Sequence, residues 1–185
     1  MFACEKYYGD ILPGLREEIR FKPSGNPDNN LMAAEMRNRI SVAVHLRRGD
    51  YLSPENNELY GNICTDKYYE ASIDYISQQH PQAHFYIFSD DPAYAGSKYT
   101  DKNHTIVDIN YGSDSLYDMY LMSQCKHIIC ANSTFSFWGA RLNDYKNKIM
   151  IRPLRHRNNL IVSPEIMLPL WKGWTLIDSE GRIYG

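Results

Sequence analysis

Apolar positions along this chain gather into short, continuous runs separated by longer amphipathic stretches. Runs at 41–46, 84–89, 105–109, 127–131 and 148–152 do not alternate with polar residues, and 175–177 forms a weaker sixth. Short continuous runs predict strands covered on both faces. Helical patterns fill the gaps. Thr65 is placed to cap a helix reaching about Gln79, with Pro81 just beyond it and Tyr69, Ile73 and Ile76 on one face. Ser113 is placed to cap a second helix through Ser123, on which Leu116, Met119, Tyr120 and Met122 are apolar. Asn132 or Ser133 caps a third, through Phe135, Trp138 and Leu142. A short helix is predicted over 31–39, and 22–27 reads as a loop. Strands alternating with helices predict an α/β fold with a Rossmann-like parallel sheet and flanking helices.

Composition narrows the classes. A chain of 185 residues is enough for one core. With 43% hydrophobic and 23% charged residues it reads as an ordinary folded domain. The net charge of −2 gives no basic stripe of the kind nucleic acid needs. One short basic cluster, Arg152, Arg155, His156 and Arg157, reads as a loop after a strand, facing either an anionic ligand or water. Cys4, Cys64, Cys125 and Cys130 lack the two-residue spacing of zinc or redox motifs, so a reducing compartment is expected. No apolar stretch nears the roughly 18 residues of a membrane span. No signal peptide is visible, and the expected location is cytoplasmic or peripheral to a membrane.

Candidate chemistry lies at three strand ends: His45-Leu46-Arg47-Arg48-Gly49-Asp50, Phe88-Ser89-Asp90-Asp91-Pro92 and Ala131-Asn132-Ser133-Thr134-Phe135-Ser136. In a parallel sheet all three emerge on one edge, where open α/β sheets bind ligands. Arg47 and Arg48 offer guanidinium forks that match phosphate oxygens. A salt bridge to Asp50 is their alternative use. Arg48-Gly49-Asp50 is also an adhesion-type tripeptide, but it follows a buried strand instead of crowning a loop. Ser133 and Thr134 open a helix, whose N-terminus favours anions; a plain cap is the competing reading. Asp90 and Asp91 are adjacent in an extended segment and point opposite ways, so no metal is expected there. Asp118, on the helix before the third site, is a carboxylate able to accept from the two N–H donors of guanine, unless it is only a solvated helix residue.

The segments HLRRGDY, FYIFSDD and DMYLMSQCKHIICANSTFSFWGARLN closely resemble the three signatures of the α-1,2-fucosyltransferase family, over about 41–153. The resemblance implies a two-lobed, GT-B-type, inverting galactoside 2-α-L-fucosyltransferase that uses GDP-fucose as donor and needs no cofactor or metal. This chain resembles the C-terminal, donor-binding lobe: 40–185 would be the GDP-fucose-binding domain and 1–39 an inter-lobe linker or remnant. The family's glycine-rich GGLGNQ-type segment is missing, so the acceptor lobe is expected to lie outside this chain. His45 and Arg47 match the nucleotide-binding HxR pair, Asp118 the guanine reader, and Ser133, Thr134 and Phe135 the diphosphate and sugar turn. Arg47 would act on the leaving phosphate, with Arg48 beside it and Asp50 as the candidate base. The partners implied are GDP-fucose and a galactose-containing glycan. A non-catalytic GDP-sugar module and a fucosyltransferase of another linkage are the alternatives.

Overall fold

A computed structural model describes residues 4–185; residues 1–3, at the start of the segment read as a linker, lie outside the described part, as does the side chain of Glu5. The chain order is α1 (Leu12–Glu18), α2 (Pro27–Asn38), β1 (Ser41–Leu46), α3 (Pro54–Tyr60), α4 (Asp66–Gln79), β2 (His84–Ser89), α5 (Pro92–Lys98) and β3 (His104–Val107). It continues with α6 (Leu116–Gln124), β4 (His127–Ile129), α7 (Thr134–Leu142), β5 (Met150–Pro153), α8 (Pro164–Leu170), β6 (Thr175–Ile177) and β7 (Ile183–Tyr184). The seven strands form one sheet in the order β3-β2-β1-β4-β5-β6-β7. Every pairing is parallel except β6 with β7. This is the Rossmann-like α/β architecture that the alternation of strands and helices predicted.

Side chains alternate across each strand, and that period sorts the core into two layers. Val42, Val44 and Leu46 of β1 pack with Phe85, Ile87, Ile129 and Ile151 against Tyr68, Tyr69 and Ile76 of α4 and Ala95 of α5. Ala43, Tyr86, Phe88 and Ile128 pack on the opposite face with Met36 of α2, Leu121 and Met122 of α6, and Phe137 and Ala140 of α7. Thus β1 is buried along its whole length, as its unbroken apolar run requires. Gly139 lets α7 approach α6 closely: a Cβ there would stand 3.0 Å from Cβ of Met122.

The chain runs from β1 outward to β2 and β3, then returns to place β4 on the other side of β1. The crevice outside the carboxyl ends of β1 and β4 is therefore a topological switch point. Two tyrosines of α4 finish those strand ends. Tyr69 donates its hydroxyl to the carbonyl of His45 at 2.9 Å, and Tyr68 to that of Cys130 at 2.6 Å. These bonds tie α4 to the buried carbonyls at the crevice floor.

Several local expectations shift. The 31–39 helix begins earlier, at Pro27, because Asn26 caps it by accepting from the Asp28 amide at 3.0 Å. The helix expected from Ser113 begins at Leu116, after a 3-10 turn over Gly112–Ser115, and Ser113 makes no cap. Arg152, the last residue of the run at 148–152 and also grouped with the basic loop cluster, lies inside β5 as the run predicts and is fully buried instead of facing ligand or water. Its guanidinium rests 3.7 Å from the ring centre of Trp171, and its three nitrogens have no hydrogen-bond partner. Burial pulls its pKa down to about 9, so the indole face is its main compensation.

Candidate functional site

The alternation that buries Ala43 toward α6 and α7 also turns His45 to that side. His45 is 5% exposed and packs its ring 5.8 Å from that of Phe135, at the start of α7. Burial, helped by the positive charge of Arg47, lowers its pKa to about 3. The imidazole is therefore neutral across the physiological range, and it meets a ligand as a hydrogen-bonding group instead of a cation.

Beyond β1 the two arginines part. Arg47 forks between two carboxylates, Nη2 to Asp50 Oδ1 at 2.7 Å and Nη1 to Asp90 Oδ2 at 2.9 Å. Arg48 turns away, with Nε to Asp91 Oδ2 at 3.2 Å and its guanidinium 3.5 Å above the ring of Tyr94. Asp90 also accepts from the Arg48 amide at 2.9 Å. Asp91 caps α5 through the Tyr94 amide at 3.1 Å. The adjacent acids are thus engaged separately. Gly49 is required for this arrangement, since a Cβ at that position would stand 2.5 Å from Asp90 Oδ2. Among the described residues, no group of three or more His, Cys, Asp or Glu is arranged to hold a metal.

Across the switch point, Ser133 caps α7 by accepting from the Phe135 amide at 3.3 Å. Thr134 is exposed and Phe135 half-buried. The turn is fixed from beneath by Asn132, whose Nδ2 donates to the carbonyls of Tyr60 and His156, each at 3.2 Å. Tyr51 donates to the Asn132 carbonyl at 3.1 Å and stacks on Tyr60, ring centres 4.9 Å apart.

Asp118, in the first turn of α6, accepts from Asn110 Nδ2 at 2.8 Å. Asn110 is held by a reciprocal pair with the buried Asn29, at 2.8 and 2.9 Å. Burial raises the Asp118 pKa to about 6; the Asn110 hydrogen bond opposes the rise and the nearby Asp108 charge adds to it. A half-buried carboxylate with no cation against it is costly to keep, and such groups concentrate at functional sites.

Two cavities collect these side chains. One, of about 430 Å³, is lined by His45, Arg47, Asp90, Asn110, Asp118 and Phe135 among others. The second, of about 460 Å³, includes Arg47, Asp50, Ser133, Thr134, Phe135 and His156 in its walls. Arg47 and Phe135 belong to both, so the cavities form two ends of one cleft. Every expected site residue except Arg48 lines that cleft. Arg48 opens onto a third cavity of about 320 Å³, beside Tyr94 and Tyr99; Arg47 lines it too, and it adjoins the second cavity through Tyr51 and Tyr60. Sequence reading missed Asn110, which positions Asp118, and gave His156 no specific role. Asn110 follows a strand end, but only the strand order brings it beside α6.

The family model for glycosyl transferase family 11 matches residues 3–175. An Escherichia coli O-antigen biosynthesis glycosyltransferase, WbnK, is 38% identical over 63% of this chain and 39% of its own length. An alpha-1,2-colitosyltransferase of Escherichia coli is 36% identical over 80% of this chain and 52% of its own. The rat galactoside alpha-(1,2)-fucosyltransferase 1 is 30% identical over 69% of this chain and 34% of its own. The chain therefore spans about half or less of these relatives. No helix among the described residues is long and apolar enough to cross a membrane. The motifs at the ends of β1, β2 and β4 that frame the cleft fall within the matched span, and this chain belongs to glycosyl transferase family 11.

Proposed function

We propose that this chain is the donor-binding part of an inverting transferase that moves L-fucose from GDP-fucose to the 2-hydroxyl of a galactoside. The observation that carries this reading is the cleft itself, which puts Asp118 at one end, the N-terminus of α7 at the other and Arg47 between them. Guanine donates its ring N–H and amino N–H to the Asp118 carboxylate. The diphosphate lies against Arg47 and the free amides of α7. As the bond between sugar C1 and phosphate oxygen breaks, charge grows on that oxygen, and these donors stabilise it. The acceptor oxygen attacks C1 from the opposite side, so one displacement inverts the configuration. Its proton passes to a base. Asp50 is the candidate base in this chain, and its ion pair with Arg47 would have to loosen for that role.

The donor sugar and the linkage belong to this proposal. Relatives carry colitosyl and fucosyl names, so GDP-fucose and its colitosyl analogue should be offered side by side. The acceptor is expected to be held by a lobe that precedes the HLRRGDY strand in the family. Catalysis by proximity needs the acceptor hydroxyl about 3–3.5 Å from the reacting carbon. The 185-residue chain should therefore bind GDP-fucose but transfer it to a galactoside slowly or not at all. The measurement is a transfer assay run beside a longer version carrying an N-terminal lobe. Robust turnover by the short chain would place the acceptor site within it; turnover by neither, with binding by both, would favour a non-catalytic GDP-sugar module.

Donor binding should also be independent of divalent ions, because Arg47 and the α7 terminus supply positive potential at the diphosphate. Calorimetry of GDP with and without a chelator should give the same Kd. A loss beyond tenfold on chelation would instead make Asp90 a ligand-bearing residue.

A further inference from the structure

The cleft has an order along its length. Asp118 lines only one end; Arg47 and Phe135 are shared; Ser133, Thr134, Asp50 and His156 line only the other, and although Arg47 also borders the tyrosine-lined cavity, Phe135 and the start of α7 do not. If the base lies at Asp118 and the diphosphate at Arg47, the sugar extends into the far cavity. This inference rests on the donor reading above and goes beyond it to one residue that neither the motifs nor the family signatures single out.

His156 stands on the loop that leaves β5, the strand next to β4 in the sheet. Its carbonyl accepts from Asn132 Nδ2 at 3.2 Å, which ties the loop to the turn that carries Ser133. Its ring is wedged between Phe137, at 5.8 Å between ring centres, and the edge of Tyr60, at 6.3 Å. Nδ1 is buried without a partner and Nε2 is not; since the residue lines the cavity, Nε2 is the nitrogen available to a ligand. A buried N–H without an acceptor is more costly than a buried lone pair without a donor. The proton of the neutral ring therefore belongs on Nε2. Burial, with the charges of Arg152 and Arg157 nearby, lowers the His156 pKa to about 4. A neutral donor of this kind suits a hydroxyl, whereas the cationic Arg47 suits phosphate.

We propose that His156 is a donor-sugar contact, giving the Nε2 hydrogen to a ring hydroxyl of the hexose and thereby distinguishing the nucleotide-sugar from the bare nucleoside diphosphate.

Calorimetry with GDP and with GDP-fucose, on the parent and on His156→Ala and His156→Gln, tests this. One hydrogen bond to a neutral group is worth about three- to tenfold in affinity. His156→Ala should weaken GDP-fucose by that factor and leave GDP within twofold. His156→Gln places an amide N–H near the position of Nε2 and should recover most of the loss. The loop anchor is a backbone carbonyl, so both variants keep it, and a thermal melt verifies that they fold. Equal losses for both ligands would make His156 a packing residue of the loop. No loss for either would also overturn the contact. A parent that binds neither ligand would overturn the donor reading itself, an outcome distinct from the other two.

Discussion

The Asp118→Asn protein is expected to melt at a higher temperature than its parent at pH 7 while binding GDP-fucose more weakly. The two effects have one cause. Burial lifts the Asp118 pKa from 3.8 to about 6, so the folded chain holds that proton more tightly than the unfolded chain does. Ionised Asp118 is then a liability to the fold. Stability attributable to it is fully present below the unfolded value and is lost as pH rises through about 6. Two pK units correspond to at most about 3 kcal/mol at pH 7. An amide of the same shape escapes that penalty and still accepts from Asn110. The gain in melting temperature should shrink as pH falls toward 4, where the parent carboxyl is neutral as well.

Binding moves the other way. The carboxylate offers two acceptor oxygens to guanine's donors, and an amide offers one. A hydrogen bond to a charged group is worth roughly 1.5–3 kcal/mol, so the Kd for GDP-fucose should rise by about one to two orders of magnitude. In the parent, affinity for GDP-fucose should fall as pH drops below about 6, and the variant should lose that dependence. GDP-fucose is the right probe because its diphosphate is esterified at both ends. A terminal phosphate has its own ionisation near 6. His45, at about 3, and His156, at about 4, stay neutral through this window. A variant that melts no higher and binds as well as the parent would return Asp118 to an ordinary helix residue. Equal losses for GDP-fucose and an ADP-sugar would show that Asp118 does not read the base.

Much of the fold was legible because the sheet is buried on both faces. Strands β1, β2 and β6 match their predicted ranges, since an unbroken apolar run has the same limits as a strand covered on both sides. Strand β4 is shorter than predicted, ending at Ile129, because Cys130 and Ala131, though buried, already lead into the Asn132 turn. The short helices α3, α5 and α8 were missed for one shared reason. Each begins with proline at its first position, after Ser53, Asp91 and Ser163 respectively. Proline does not continue an apolar periodicity, yet at that position its missing N–H has no intrahelical partner to lose. Helix α2 likewise starts on a proline, Pro27, at the end of the segment 22–27 that reads as a loop.

The three strand-end motifs were also legible, because chemistry and strand position coincide in them. What they touch was not. The sequence leaves open whether Arg47 pairs with Asp50, with a ligand, or with something else. The structure shows two carboxylates on one guanidinium, the second from the residue just after β2, whose place beside β1 is a property of the sheet. Asn110 and His156 reach the cleft in the same way, from β3 and β5 exits that only the strand order locates.

That double pairing shapes the largest binding effect expected. Arg47→Ala should weaken GDP binding by about 2–5 kcal/mol, the usual consequence of removing one member of a charge pair that the bound ligand shields from water. The loss should fall toward the upper end, because Asp50 and Asp90 would remain facing the diphosphate with no cation between them. Asp50→Asn supplies the control. It leaves one arm of Arg47 without a carboxylate, and GDP affinity should hold or improve. If the longer protein carrying Asp50→Asn also loses turnover while donor binding persists, Asp50 serves as the base; if turnover persists, it serves only to aim Arg47. Arg48→Ala removes a partly exposed ion pair and the Tyr94 stack, contacts worth about 1 kcal/mol each or less. It should cost some stability and leave GDP affinity nearly unchanged. Calorimetry on the three variants decides the matter. A GDP affinity within twofold of the parent for Arg47→Ala, or a larger loss for Arg48→Ala, would move the phosphate site away from Asp118 and Ser133 toward the adjoining cavity that Arg48 and the tyrosines line.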